Sequence, residues 1–382
     1  MIDIPNVLTT LVKDMRGNLD PVMSHQAHLQ ATMQWLCRAQ DVTGSGGVAA
    51  GYTLHRGWTP AYPETTGYII PTFLDYADLI NDDSFRERAR RMGRWESEIQ
   101  LPDGGVRGRT QATPVVFDTG QVIFGWVDLY RRFSDSRSLE SACKAGDWLV
   151  RHLDDDGKWT AFEFNNVPHV YNTRVAWALL LLANASGEDR YRQAATANLE
   201  WALQQELSDG WFKWMAFTAG LEPFTHTIAY TLEGLMECAS LLEGELSQRC
   251  MAPVFRATNV LVSRYQFDHS TSNPILPGTL DASWASKARY VCLTGNAQFA
   301  MIWYSLYAQT RDQRYLAAAD KVLNVVMSHH SIQHNSPNIG GAVAGSAPCW
   351  GGYLAYWYPN WAAKFFADAL MRRISLSAYL VQ

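Results

Sequence analysis

Cysteines at metal-ligand spacing are missing from this chain. Its six, Cys37, Cys143, Cys238, Cys250, Cys292 and Cys349, are scattered, which gives neither a zinc ribbon nor a disulfide framework. The opening Met1-Ile2-Asp3-Ile4-Pro5 lacks the basic-then-apolar order of a secretory leader. Together these absences lead us to expect a reduced, cytoplasmic protein. No apolar run has the length of a bilayer span; the longest, around Val175 to Ala185, reads as a buried core helix. Blocks of like charge are also absent. With 32 Lys and Arg against 37 Asp and Glu, the net charge of -5 is spread thinly, so neither a nucleic acid nor an anionic membrane has an electrostatic footprint here.

What is present is a repeat. Short polar phrases open apolar runs at Pro63-Glu64-Thr65-Thr66-Gly67, Phe117-Asp118-Thr119-Gly120, Tyr171-Asn172-Thr173-Arg174, Thr225-His226-Thr227-Ile228, Leu293-Thr294-Gly295-Asn296 and Tyr358-Pro359-Asn360-Trp361. From Thr66 through Thr119, Thr173 and Thr227 the step is about 54 residues, lengthening to about 67 for Thr294 and about 66 for Asn360, a regularity expected of repeated supersecondary units. Each phrase precedes apolar residues at helical period, such as Ile69, Ile70, Phe73 and Leu74, and Thr at such a place is expected to act as an N-cap. A polar turn follows, then a more charged helix with one apolar stripe, as from Phe85 to Ile99 or from Leu139 to Leu153.

The first helix of each pair is apolar nearly all round and the second on one stripe, so the first is expected inside and the second outside. The segment from Met23 to Gln40 supplies an outer helix ahead of the first inner one. Six hairpins then close a ring. The sequence predicts an all-α fold, an (α/α)6 toroid formed as one domain over residues 1–382, with the inner helices all starting on one face.

The loops that reach that face are long, from Asp41 to Pro63, Pro102 to Phe117 and Asp154 to His169, and long ordered loops carry function. They and the neighbouring helix starts hold aromatics with polar tips or edges: Trp58, Tyr62, Tyr68, Trp211, Trp214, Tyr290, Trp350, Tyr353, Tyr358 and Trp361. Such rings stack on sugar faces while nearby polar groups bond hydroxyls; each one taken singly is equally a core or rim residue. Glu64 sits among aromatics at a helix start, where desolvation would hold its proton to higher pH, although capping the helix dipole is the plainer role. Asp118, Asn172 and His226 occupy the position before the repeated Thr in successive units, so the repeat is expected to aim them into one cavity with Glu64. Glu163, His169, Tyr171, Arg174, Asp281, Lys287, Tyr290 and Asn360 complete the polar inventory. His329, His330 and His334 lack a matching carboxylate pattern, and neither metal nor other cofactor is expected.

Two chemistries fit this inventory, both on an oligo- or polysaccharide held in the mouth. In glycoside hydrolysis Glu64 would protonate the leaving oxygen while Asp118 or Asp281 activates water. In uronate lysis or C5 epimerisation, Asn172 or Arg174 would neutralise the sugar carboxylate, and His226 with Tyr171 or Tyr290 would move the proton beside it. A glycan-binding protein whose acids merely cap helices is the non-catalytic alternative.

On these residues the chain resembles the six-hairpin glycosidase and polysaccharide-lyase superfamily of (α/α)6 toroids. Tyr62-Pro63-Glu64-Thr65-Thr66-Gly67-Tyr68 looks like the inner-helix opening that supplies an acid in toroid glycosidases, which implies a catalytic Glu64. The run from Asn165-Asn166 through His169 and Tyr171 to Arg174 is loosely similar to the Asn, His, Tyr and Arg sets of toroid lyases. Gln100 to Gly105 and Leu207 to Trp211 resemble turns of terpene-cyclase toroids. The acidic motif those cyclases use is lacking, since Asp82-Asp83 and Asp154 to Asp156 fall in turns. The chain also looks similar to proteins of bacterial surface-polysaccharide gene clusters, which implies a glycan context.

Overall fold

The computed structural model describes residues 4–15, 19, 21–109, 112–265 and 276–380; Met1-Ile2-Asp3, the start of the segment read above for a leader, lies outside them. In chain order its helices are α1 (Ile4–Met15), α2 (His25–Asp41), α3 (Pro63–Ile80), α4 (Asp83–Ile99), α5 (Val116–Phe133), α6 (Ser136–Arg151), α7 (Thr173–Ser186), α8 (Asp189–Gln204), α9 (Thr225–Leu241), α10 (Gly244–Arg264), α11 (Leu293–Thr310), α12 (Gln313–Ser328) and α13 (Asn360–Leu380). The odd-numbered helices from α3 to α13 pack side by side as an inner ring, each against its outer partner, and α13 returns to both α3 and α2. The fold is the (α/α)6 toroid expected from the repeat. No described helix is long and apolar enough to cross a membrane, and all six cysteines are unpaired.

Hairpin turns are set by local chemistry. The inner helices α3, α5, α7 and α11 end on a single left-handed residue, Asn81, Ser134, Gly187 and Arg311 respectively, which reverses the chain in one step. Outer helices then start on side-chain caps: Asp82 accepts from Ser84 N at 2.8 Å and Asp312 from Arg314 N at 2.9 Å. The repeated threonines behave differently from the N-caps expected. Thr66 and Thr119 lie inside the first turn of α3 and α5, donate to the carbonyls of Tyr62 and Val115, and accept the N–H of Val48 and of Val106 at 2.9 and 3.0 Å. Their hydroxyls therefore fasten the preceding long loop to the helix, satisfying a buried loop donor rather than a helical one.

The glycines that follow have a packing reason. A Cβ on Gly67 would collide with Val122 Cα, and one on Gly120 with the Val175 side chain, so neighbouring inner helices touch at backbone distance where they start. Gly67→Ala is expected to lower stability by about 1–3 kcal/mol through overpacking, read as a fall in the denaturation midpoint.

Short strands unannounced by the periodicity cross the mouth. β1 (Gly51–Thr53) pairs antiparallel with β2 (Gly57–Trp58) and with β5 (Trp357–Pro359), while β3 (Val291–Cys292) pairs with β4 (Ser346–Ala347). The first of these sheets joins the opening loop to the closing one. Nearby, His28 on α2 and His330 after α12 meet Nδ1 to Nδ1 at 2.8 Å, both buried against Phe366. The ring is thus sealed by a sheet and a histidine pair.

Candidate active site

At the inner-helix starts the structure encloses a cavity of about 360 Å³. Pro63 in the first position of α3 presets the helical φ and lacks an N–H that would be unpaired there, which puts Glu64 at the second position, 9% exposed and facing the cavity. Asp118, in the first turn of α5, and His226, in the first turn of α9, line the same space. Four residues on from Glu64 and from His226, one helical turn deeper, Tyr68 and Tyr230 form the next layer. Phe117, Tyr171, Phe217 and Trp361 complete most of the aromatic wall.

The two carboxyls are linked through Tyr62. Its hydroxyl donates to Asp118 Oδ2 at 3.0 Å and also stands within hydrogen-bonding reach of Glu64. Both acids occupy first turns, where the helix dipole favours an anion by about 0.3–1 kcal/mol. Burial overrides it: Glu64 is raised to about 7 by desolvation, against the Tyr62 hydrogen bond and the charges of Arg174 and Arg109. Asp118 is raised well above the usual carboxylate range by desolvation and then by the negative charge of Glu64. Neighbouring like charges do not both ionise readily, so the pair gives up its first proton, from Glu64, at about pH 7 and holds the second to higher pH. Behind it lies Glu96 on α4, fully buried, with no hydrogen-bond partner among the described residues for either carboxyl oxygen and held protonated by desolvation and the charge of Asp118.

His226 is a neutral imidazole. Its Nδ1 meets Gln298 Oε1 at 2.6 Å, and desolvation lowers it to about 3 although that bond opposes the change. At the rim, the exposed Arg109 lays its guanidinium 4.6 Å above the Trp357 ring and adds one positive charge to the wall.

Several expected site residues are elsewhere. Asn172 donates to Glu163 Oε1 at 2.6 Å and His169 Nδ1 meets Glu163 Oε2 at 2.9 Å. This buried clip holds His169 stacked on Tyr171, 4.4 Å between centroids, so Asn172, Glu163 and His169 stand behind the wall. Arg174 is 2% exposed and ion-paired to Glu233, with Nε donating to Gln121 Oε1 at 3.0 Å. It does not line the cavity. Asp281 sits in a surface turn, accepting from Ser283 and Ala285 N, and Tyr290 is wedged against Gly278, Gly351 and Gly352 beneath the loop that lines the cavity. Trp58 belongs to β2 and donates to Asn338 Oδ1 at 3.0 Å; Tyr358 is buried in β5. Trp211 packs edge-on to Trp284, and Asn360 Nδ2 donates to Ala49 O and Thr65 Oγ1. Lys287, Trp214 and Trp350 are exposed outside the cavity. Among the described residues no group of His, Cys, Asp and Glu is arranged to hold a metal.

Sequence reasoning passed over Tyr230, Gln298, Arg109, Phe117, Phe217 and Phe224. Tyr230 carries a usable signal, since it follows His226 at the spacing by which Tyr68 follows Glu64. Phe217 and Phe224 reach the cavity from the loop before α9, where no periodicity gives direction.

The molecule is therefore a toroid with an acidic, aromatic pit at the start of its inner helices. Solved structures share the ring: the unsaturated glucuronyl hydrolase of Bacillus sp. GL1, described as responsible for glycosaminoglycan degradation, matches with TM-score 0.71 at 15% identity over 92% of this chain and 97% of its own. The cellobiose 2-epimerase of Spirochaeta thermophila matches at 0.69 and 16% over 93% and 96%, and a polysaccharide lyase at 0.67 and 13% over 94% and 100%. All are (α/α)6 toroids of the six-hairpin glycosidase-like kind, and at such identities the likeness is one of fold. No family profile matches the chain, and no curated protein does.

Proposed function

We propose that the protein is a carbohydrate-active enzyme that hydrolyses a glycosidic bond, with Glu64 and Asp118 as its acid–base pair. The observation that carries this reading is the Tyr62-linked, buried carboxyl pair in the wall of an aromatic cavity. One shared proton supplies both partners the reaction needs. The protonated carboxyl gives its hydrogen to the leaving oxygen as the C–O bond breaks, and the ionised one takes a proton from the water whose oxygen bonds to the anomeric carbon.

Toroid neighbours that include hydrolases, an epimerase and a lyase support a sugar in the cavity. Of the alternatives raised by the sequence, uronate lysis and C5 epimerisation lose the clamp assigned to them, because Asn172 and Arg174 are engaged by Glu163 and Glu233. Arg109 is the cation at the rim, and it suits a sugar bearing a carboxylate.

The test is hydrolysis of a panel of neutral and uronate-containing oligosaccharides across pH. Turnover is expected to follow a bell, falling below about pH 7 as Glu64 takes up the pair's second proton and falling again at higher pH as Asp118 gives up the remaining one. Asp118→Asn should remove both limbs with the activity while leaving substrate binding measurable. A profile flat from pH 5 to 9, or an Asp118→Asn enzyme of unchanged kcat, would overturn the assignment.

A further inference from the structure

We propose that Gln298 is a positioning residue that holds His226 as a neutral hydrogen-bonding group, its Nε2 turned to the bound sugar and kept out of the proton transfers; this rests on the hydrolase reading above. Gln298 lies in α11, fully buried, and no mechanism for the cavity needs an amide so deep. Its Oε1 can only accept, so at 2.6 Å the proton between them belongs to His226 Nδ1. That leaves Nε2 with its lone pair as the remaining polar atom of a ring that lines the cavity. Among the described residues the Nε2 of Gln298 has no partner, so its amide's hydrogen bonding is directed at the imidazole alone.

The remaining neighbours of the ring also favour neutrality. Tyr230 on its own helix and Tyr353 on the closing loop stand 4.3 and 5.4 Å away between centroids, and Phe217 and Phe365 pack from two further sides. Arg174 on α7 repels an imidazolium, and its own charge is already balanced by Glu233. Among the described residues no carboxylate pairs with the ring. A carboxylate in place of Gln298 would convert a fixed acceptor into a titrating acid–base group, and the glutamine is what prevents this.

The wild-type chain and two variants read the role. In the wild-type chain the His226 ring signals, followed by NMR with 15N-labelled histidine, are expected not to titrate between pH 5 and 9. Gln298→Glu should bring a titration into that window and reduce kcat on the acid side of the profile by about tenfold or more, with the alkaline limb set by Glu64 and Asp118 unmoved. Gln298→Met, which keeps the volume and removes the bond, should leave the pH profile in place and raise KM by about tenfold, the equivalent of one lost orienting contact. Titration of His226 in the wild-type chain, or wild-type profiles and KM in both variants, would overturn the proposal. The ring signals report on the tautomer without turnover, so they separate its failure from that of the hydrolase reading, which the Asp118→Asn enzyme tests alone.

Discussion

Replacing Glu64 by glutamine is expected to cut kcat by about 10²–10⁴-fold and, at pH 8, to raise the melting temperature. The two effects share a cause. Burial lifts the Glu64 carboxyl from its ordinary 4.5 to about 7, so the folded protein binds a proton that the unfolded chain has already released. For a carboxyl raised in this way, stability falls as pH climbs from the unfolded value through the folded one, then levels. Above pH 7 the ionised group costs on the order of 3 kcal/mol, which the neutral amide does not incur. Melting curves at pH 4 and pH 8 check this: the variant should match the wild type at the lower pH and exceed it at the higher. Lost turnover without the gain at pH 8 would mean that the site does not hold Glu64 in the desolvated state described.

Glu233→Ala is expected to be the most damaging single change, at about 3–5 kcal/mol. It strands the Arg174 guanidinium, 2% exposed, in the centre of the ring with Gln121 as its remaining hydrogen-bond partner among the described residues and Tyr230, Trp177, Phe124 and Phe365 around it. The cation–π contacts around it are already made in the wild-type chain, so they do not replace the lost carboxylate. Removing both charges as Arg174→Met with Glu233→Leu should restore most of the stability, because the uncompensated charge rather than the missing pair is the larger penalty. Chemical denaturation of the single and double variants decides it; equal losses in both would contradict this account.

Arg174 also illustrates how far the sequence could be read. The ring was legible because its cause is general: an inner helix walled in on every side must be apolar all round, and a glycine such as Gly67 must stand where two such helices meet. The direction of particular side chains was not. Asn172 shares its place in the repeat with Asp118 and His226, yet it ends a 3-10 turn, Val170–Asn172, ahead of α7, whereas Asp118 and His226 are already inside α5 and α9. That difference in phase turns its amide to Glu163, a partner nine residues upstream that no periodicity announces. Trp58 and Tyr358 were drawn away by strands of two or three residues, too short for alternation to register. Glu64, Asp118 and His226 remained together because each sits in a first turn with a neighbouring helix start on either side.

One feature of the centre bears on traffic. Tyr68 borders the pit and also a second hollow of about 640 Å³ at the far ends of the inner helices, into which Arg174, Glu233 and Lys364 face. The two spaces meet at this ring and at the guanidinium beside it, so the hole through the doughnut is stoppered halfway. On the hydrolase reading, a sugar chain is expected to enter and leave by the one mouth rather than to thread through.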